Sequence, residues 1–167
     1  MRRILLFTLL AAVAWGQDAL FQDLSFANVY AVSKETALSG TAEAVTVQQP
    51  VTNSGGQVVY FDGAAVYCSV DCVVTIERTG AAATATAMTP VALNVGVPAA
   101  KAQAFHGSNV GTAAATIGVY RIAAGGEKTI DLRGIRLRAG TRENLTVRTN
   151  AITGTARILV KWAEARP

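Results

Sequence analysis

Histidine is nearly absent from this chain: His106 is the only one in 167 residues. A zinc site needs four ligands. With only Cys68 and Cys72 to add, the sequence offers no metal centre. Acidic residues number 11 and are scattered, so no pair of carboxylates stands out for glycoside hydrolysis. Asp62-Gly63 lacks the regular spacing of acidic ligands that a calcium loop needs. No glycine-rich stretch is built to cradle a phosphate, because Gly55-Gly56 and Gly125-Gly126 read more simply as turns. His106 lies in AFHGSN, two residues from Ser108. A triad also needs a carboxylate that orients the base and an activated nucleophile, and no local signature supplies them. The expectation is a protein that is not an enzyme, with no cofactor and no metal. A small secreted hydrolase is the least favoured alternative.

Helical periodicity is missing beyond the first residues, which argues against a βαβ architecture. No later apolar run is long enough to cross a bilayer as a helix. The start of the chain is different. MRRILLFTLLAAVAWGQ opens with Arg2 and Arg3 and continues with an apolar run over 4–14. Small residues follow at Ala14 and Gly16. This is the pattern of a cleavable signal peptide over 1–16, with Gln17 as the first mature residue and cleavage after Ala14 as the alternative. It predicts a secreted or periplasmic protein. Removing the two leader arginines lowers the formal net charge from +4 to +2, so the high isoelectric point gives no specific nucleic-acid signal. About 150 residues remain, enough for one domain. Its Ala, Val, Thr and Gly content suits strands and short turns.

Two cysteines sit in VVYFDGAAVYCSVDCVVTIER, residues 58–78. The alternation predicts a β-hairpin with 69–71 as a three-residue loop. Cys68 would then face Cys72, Val66 face Val74, Ala64 face Ile76, and Asp62 face Arg78. Opposed residues in an antiparallel ladder have Cα atoms about 4.5–5.5 Å apart, within reach of a disulfide. One unbroken strand would hold the sulfurs about 13 Å apart at ~3.3 Å per residue. Asp71 would take the left-handed position that such a loop requires. A redox motif has two residues between its cysteines, and this has three. A structural disulfide is expected, with free buried thiols as the other reading.

Along the rest of the chain, 17–41 reads as a lead-in followed by a first strand at 25–33, and 34–40 as a turn. The body of the domain spans 42–167 together with 25–41. Strands are expected at 43–49, 91–94, 116–122, 128–132, 135–138, 144–149 and 155–163, with 79–89 as loop and weak strand. Residues 96–111 read as an exposed connection. Loops of this length often carry contacts, so Phe105 and His106 are candidate ligand-contact residues. Many short strands with regular turn signals predict an all-β, antiparallel β-sandwich of jelly-roll type. Arg136, Arg138, Arg148, Arg157 and Lys161 fall at outward positions of the last strands. Brought together, they would make a basic stripe for an anionic glycan or cell-surface polymer. The plainer reading is a solvated face whose charges deter edge aggregation.

The run TIDLRGIRLRAGTRENLTVRTNAITGTARILVKW resembles the closing strands of small jelly-roll modules in bacteriophage virion proteins. These end with an apolar-Gly-apolar strand pair, a Gly turn, an LTV strand and a last strand finishing in Trp. VYCSVDCVVTIER and the Ala/Thr-rich stretch after it fit the same plan, so the resemblance covers 42–163. It implies a structural or attachment role and no catalytic motif. The leader departs from it and points to a secreted bacterial relative. The expected function is therefore a secreted, non-catalytic module with a surface-binding or structural role. The alternative is a virion-like or filament subunit that forms a homo-oligomer.

Overall fold

The computed structural model describes residues 28–50, 56–79, 86–108, 113–138, 141 and 143–165. The leader, the lead-in before residue 28, the loop 51–55 and the Ala/Thr-rich stretch 80–85 lie outside the described residues. The described residues form twelve strands: β1 (Asn28–Ala37), β2 (Ala44–Gln48), β3 (Val58–Cys68), β4 (Cys72–Thr79), β5 (Thr86–Met88), β6 (Val91–Ala92), β7 (Gln103–Gly107), β8 (Ala113–Ile122), β9 (Gly126–Asp131), β10 (Arg136–Leu137), β11 (Asn144–Thr149) and β12 (Thr155–Ala165).

They form two six-stranded antiparallel sheets. The first runs β10-β3-β12-β1-β6, with β9 also paired to β3; the second runs β5-β7-β2-β11-β4-β8. Alternation drives the assembly, because successive side chains on a strand point to opposite faces. On β12, Ala156, Ile158, Val160 and Trp162 are buried. On β11 and β2, Leu145, Val147, Val45 and Val47 meet them from the second sheet in a single core. Trp162 packs beside Tyr30 with ring centroids 6.0 Å apart, a separation typical of paired aromatic rings.

The expected hairpin is overturned. β3 pairs with β12, β9 and β10, whereas β4 pairs with β11 and β8. The two cysteine-bearing strands belong to opposite sheets, and neither Asp62 with Arg78 nor Val66 with Val74 is a ladder pair. The alternation was read correctly: Ala64, Val66, Cys68, Cys72, Val74 and Ile76 are all buried. An apolar face shared by a hairpin and two apolar faces turned toward each other give the same pattern. The connection decides between them. A three-residue hairpin loop places a residue at positive φ, and no described non-glycine residue has one. The chain therefore turns a corner between sheets at 69–71. The Cys68–Cys72 disulfide forms there, with Cα atoms 6.4 Å apart, and joins the two layers.

Two further expectations change. Residues 34–37 continue β1, since all ten residues of that strand pair with β12. Residues 103–107 are not a loop but β7, paired on both sides by β2 and β5. The irregular part is shorter and well anchored. The buried Glu164 carboxylate accepts the backbone N–H groups of Lys101 (3.0 and 2.9 Å) and Ala102 (2.8 Å). The Tyr30 hydroxyl donates to the Pro98 carbonyl at 2.8 Å. Burial, and then the Glu164 charge, push the Tyr30 phenol above its ordinary pKa.

One irregularity shapes the surface. β3 carries a bulge at Asp62, where its register against β12 shifts. The bulge changes the inward phase, so Val59 and Phe61 are buried as well as Ala64 and Val66. At the same level the edge strand opposite leaves the ladder. β9 ends at Asp131 and β10 begins at Arg136, both along the same side of β3. The excursion 132–135 is pinned by Leu132 N–H to Asp62 C=O (3.3 Å) and Phe61 N–H to Ile135 C=O (3.1 Å).

Candidate functional site

The excursion stands across from β8, which follows the edge of the second sheet. Between them lies a groove of about 480 Å³ lined by Ile76, Arg78, Ile117, Gly118, Tyr120, Asp131, Leu132, Gly134, Ile135, Arg136 and Arg138. Its floor is apolar, since Ile76 and Leu132 are buried core residues. Its walls are cationic. Arg78 Nη2 donates to Glu143 Oε2 at 3.0 Å and to the Arg136 carbonyl at 3.2 Å. The same Glu143 oxygen accepts the Arg138 N–H at 3.0 Å. One carboxylate thus holds the backbone that presents the arginines.

Charge around the groove is unbalanced. Asp131 is taken by Arg133, which donates from its backbone N–H (2.9 Å), Nε (3.0 Å) and Nη2 (2.7 Å). These bonds hold the Asp131 carboxyl down at about 2. Among the described residues no carboxylate pairs with the side chains of Arg136 or Arg138. Arg136 and Arg138 are exposed and line the groove beside this apolar floor, and guanidiniums suit carboxylate, sulfate or phosphate recognition.

The other sequence-selected cations do not line this groove. Arg148 lies on β11, in the second sheet, and pairs with Glu77 at 3.1 Å. Arg157 lies on β12, in the first sheet, where it pairs with Glu127 at 2.8 Å and sits 5.8 Å from the Tyr67 ring centroid. Lys161 is exposed on the same strand. The sandwich sets Arg148 on a different sheet from Arg136, Arg157 and Lys161. Arg78 was missed by sequence reasoning. Placed in a hairpin it faced Asp62, whereas in the second sheet it reaches Glu143.

Phe105 and His106 are neighbours on β7 and point to opposite faces. Phe105 faces Thr46 in the ladder and His106 faces Val45. Thr46 donates or accepts a 2.7 Å hydroxyl bond with Thr146 on that outer face. His106 Nδ1 lies 3.5 Å from Glu43 Oε1, with side chains 20% and 7% exposed. That contact is too long for a good hydrogen bond. A histidine and a carboxylate are two of the three groups a triad requires. Among the described residues no cluster of three or more His, Cys, Asp or Glu is arranged to hold a metal ion.

No known protein-family model, no curated protein and no solved structure matches this chain.

Proposed function

We propose that this chain is a secreted, non-catalytic binding module, a β-sandwich of jelly-roll type whose groove between β8 and β10 takes an anionic surface polymer. The carrying observation is the pair Arg136 and Arg138, without a carboxylate partner among the described residues, lining one groove with Ile76, Leu132 and Ile135. The jelly-roll assignment draws on the resemblance of 42–163 and on a chain that passes repeatedly from one sheet to the other. Secretion draws on the leader pattern and on the Cys68–Cys72 bond, which suits an oxidising compartment.

The test is a titration of the exported chain with a uronic-acid polysaccharide and with polyglutamate. Binding of at least one is expected, weakening as salt rises. Arg136→Ala combined with Arg138→Ala should reduce it at least about tenfold. Stability should change by no more than about 0.5 kcal/mol, as for other exposed positions. Unchanged affinity in that folded variant would remove the groove from the proposal.

A further inference from the structure

Strand edges offer unpaired backbone groups, and proteins usually shorten, charge or cover them. Here the edges differ. β6 has two residues and follows Pro90; β5 has three. β9 has six, of which Glu127, Lys128 and Asp131 are charged, and β10 has two. β8 has ten residues, AAATIGVYRI, with no proline and one charge, Arg121. It pairs with β4, and no strand among the described residues occupies its other side. Two apolar side chains on it are open to solvent, Ile117 at 49% and Val119 at 60%. This long edge, with a single charge and register shifts against β4 after Ile76 and Arg78, is also the one that borders the arginine groove.

We propose that β8 is a strand-pairing site whose occupant is an extended peptide with alternating acidic and apolar side chains. This rests on the reading that the groove accepts an anionic partner, and it names that partner's class. An added strand would satisfy the free N–H and C=O groups of β8 through its own backbone. Alternate side chains, about 6.6–7 Å apart, would point to the groove side. Those are the acidic ones, which meet Arg136 and Arg138, while the apolar ones turn to the opposite face, where Val119 is open to solvent. A glycan carries the charge but has no regular ladder of amide donors and acceptors to match the edge. A second copy has the ladder but the wrong charge. Arg121 lies on the edge strand itself, and Arg78, Arg136 and Arg138 line the groove beside it, so two such edges would bring like charges together.

Fluorescence anisotropy on the exported chain separates these cases with three probes. The first is a labelled six-residue peptide alternating Glu and Val. The second is the same peptide with every second backbone nitrogen methylated. The third is a uronic-acid oligosaccharide of equal charge. The expected result is binding of the first, weakened at least about tenfold by methylation and by Arg136→Ala with Arg138→Ala. Methylation leaves the protein untouched, so misfolding cannot imitate its effect. Equal binding of both peptides would overturn the strand pairing and leave the anion groove standing. Binding of the oligosaccharide alone would do the same. Failure of all three probes would overturn both readings. If light scattering showed the unliganded chain self-associating, and Val119→Lys abolished it, the edge would belong to a second copy and the peptide assignment would fall.

Discussion

The corner at Cys68–Cys72 and the seam between β8 and β10 are both places where the two sheets meet, and they are finished in opposite ways. At the corner the backbone is tied on every side. Ser69 exchanges bonds with Thr155, its N–H donating at 2.9 Å and its hydroxyl accepting at 2.7 Å. Gly125 N–H reaches the Cys68 carbonyl at 2.9 Å, and Asp71 accepts the Ala124 N–H at 2.7 Å. Asn150 bonds both the N–H and the C=O of Val73. At the seam, among the described residues, no strand pairs with the outer side of β8 and two arginines lack carboxylate partners. The lesson is that a sandwich closes where short polar residues such as Ser, Asp and Asn reach backbone. It stays open where long cations and β-branched side chains stand at an edge.

Substitutions can break this contrast. The largest effect is expected from Ile76→Ala, because the groove's floor is also the core. Chemical denaturation should show a loss of about 2–5 kcal/mol, and a loss below about 1 kcal/mol would mean the floor is separate from the core. Replacing both Cys68 and Cys72 with Ser should cost about 2 kcal/mol, since the bond closes only a short loop. An unchanged denaturation midpoint would show that the hydrogen bonds at 69–73 hold the corner alone.

Gly154→Ala should cost somewhat less, about 1–2 kcal/mol, from the left-handed backbone alone. Gly154 has φ +77°, and a Cβ there would lie 2.5 Å from Ser69 Oγ. A thermal scan matching the parent would rule out that crowding. The smallest effect is at the seam's end. Asp131 has a folded pKa below its ordinary value, so its stabilising contact with Arg133 is complete above about 3.9. It is lost as pH falls through about 2. The carboxyl chemical shift should titrate near that lower value, and Arg133→Ala should return it toward about 3.9. A midpoint already near 3.9 in the parent would show the contact absent in solution.

Strand positions were legible wherever apolar and polar residues alternate: 144–149 was placed to the residue, and 43–49 and 155–163 to within two. Pairing was not legible at the cysteines, because Val66 and Val74 look the same whether they share a face or oppose each other across a core. β7 was hidden by Pro98 and the glycines at 107 and 111, which together read as loop. The candidate site was half visible. Arg136 and Arg138 announced themselves by alternation. Arg78 joins them only through a sheet order that depends on contacts distant in sequence. The bulge at Asp62 and the excursion at 132–135 that together form the groove's wall leave no periodic signature, since each is a departure from the pattern.

The position of β12 carries a consequence for how the molecule comes into being. It is the last described strand, yet it lies between β3 and β1 in the middle of the first sheet and brings Trp162 to the core. A ribosome-bound fragment ending before Thr155 has no partner for the full length of β1. Such a fragment cannot complete the first sheet, because β12 is the strand that joins β3 to β1. Folding dominated by distant contacts is also slow. Closure of the first sheet therefore waits for β12, and the strand order itself carries that postponement.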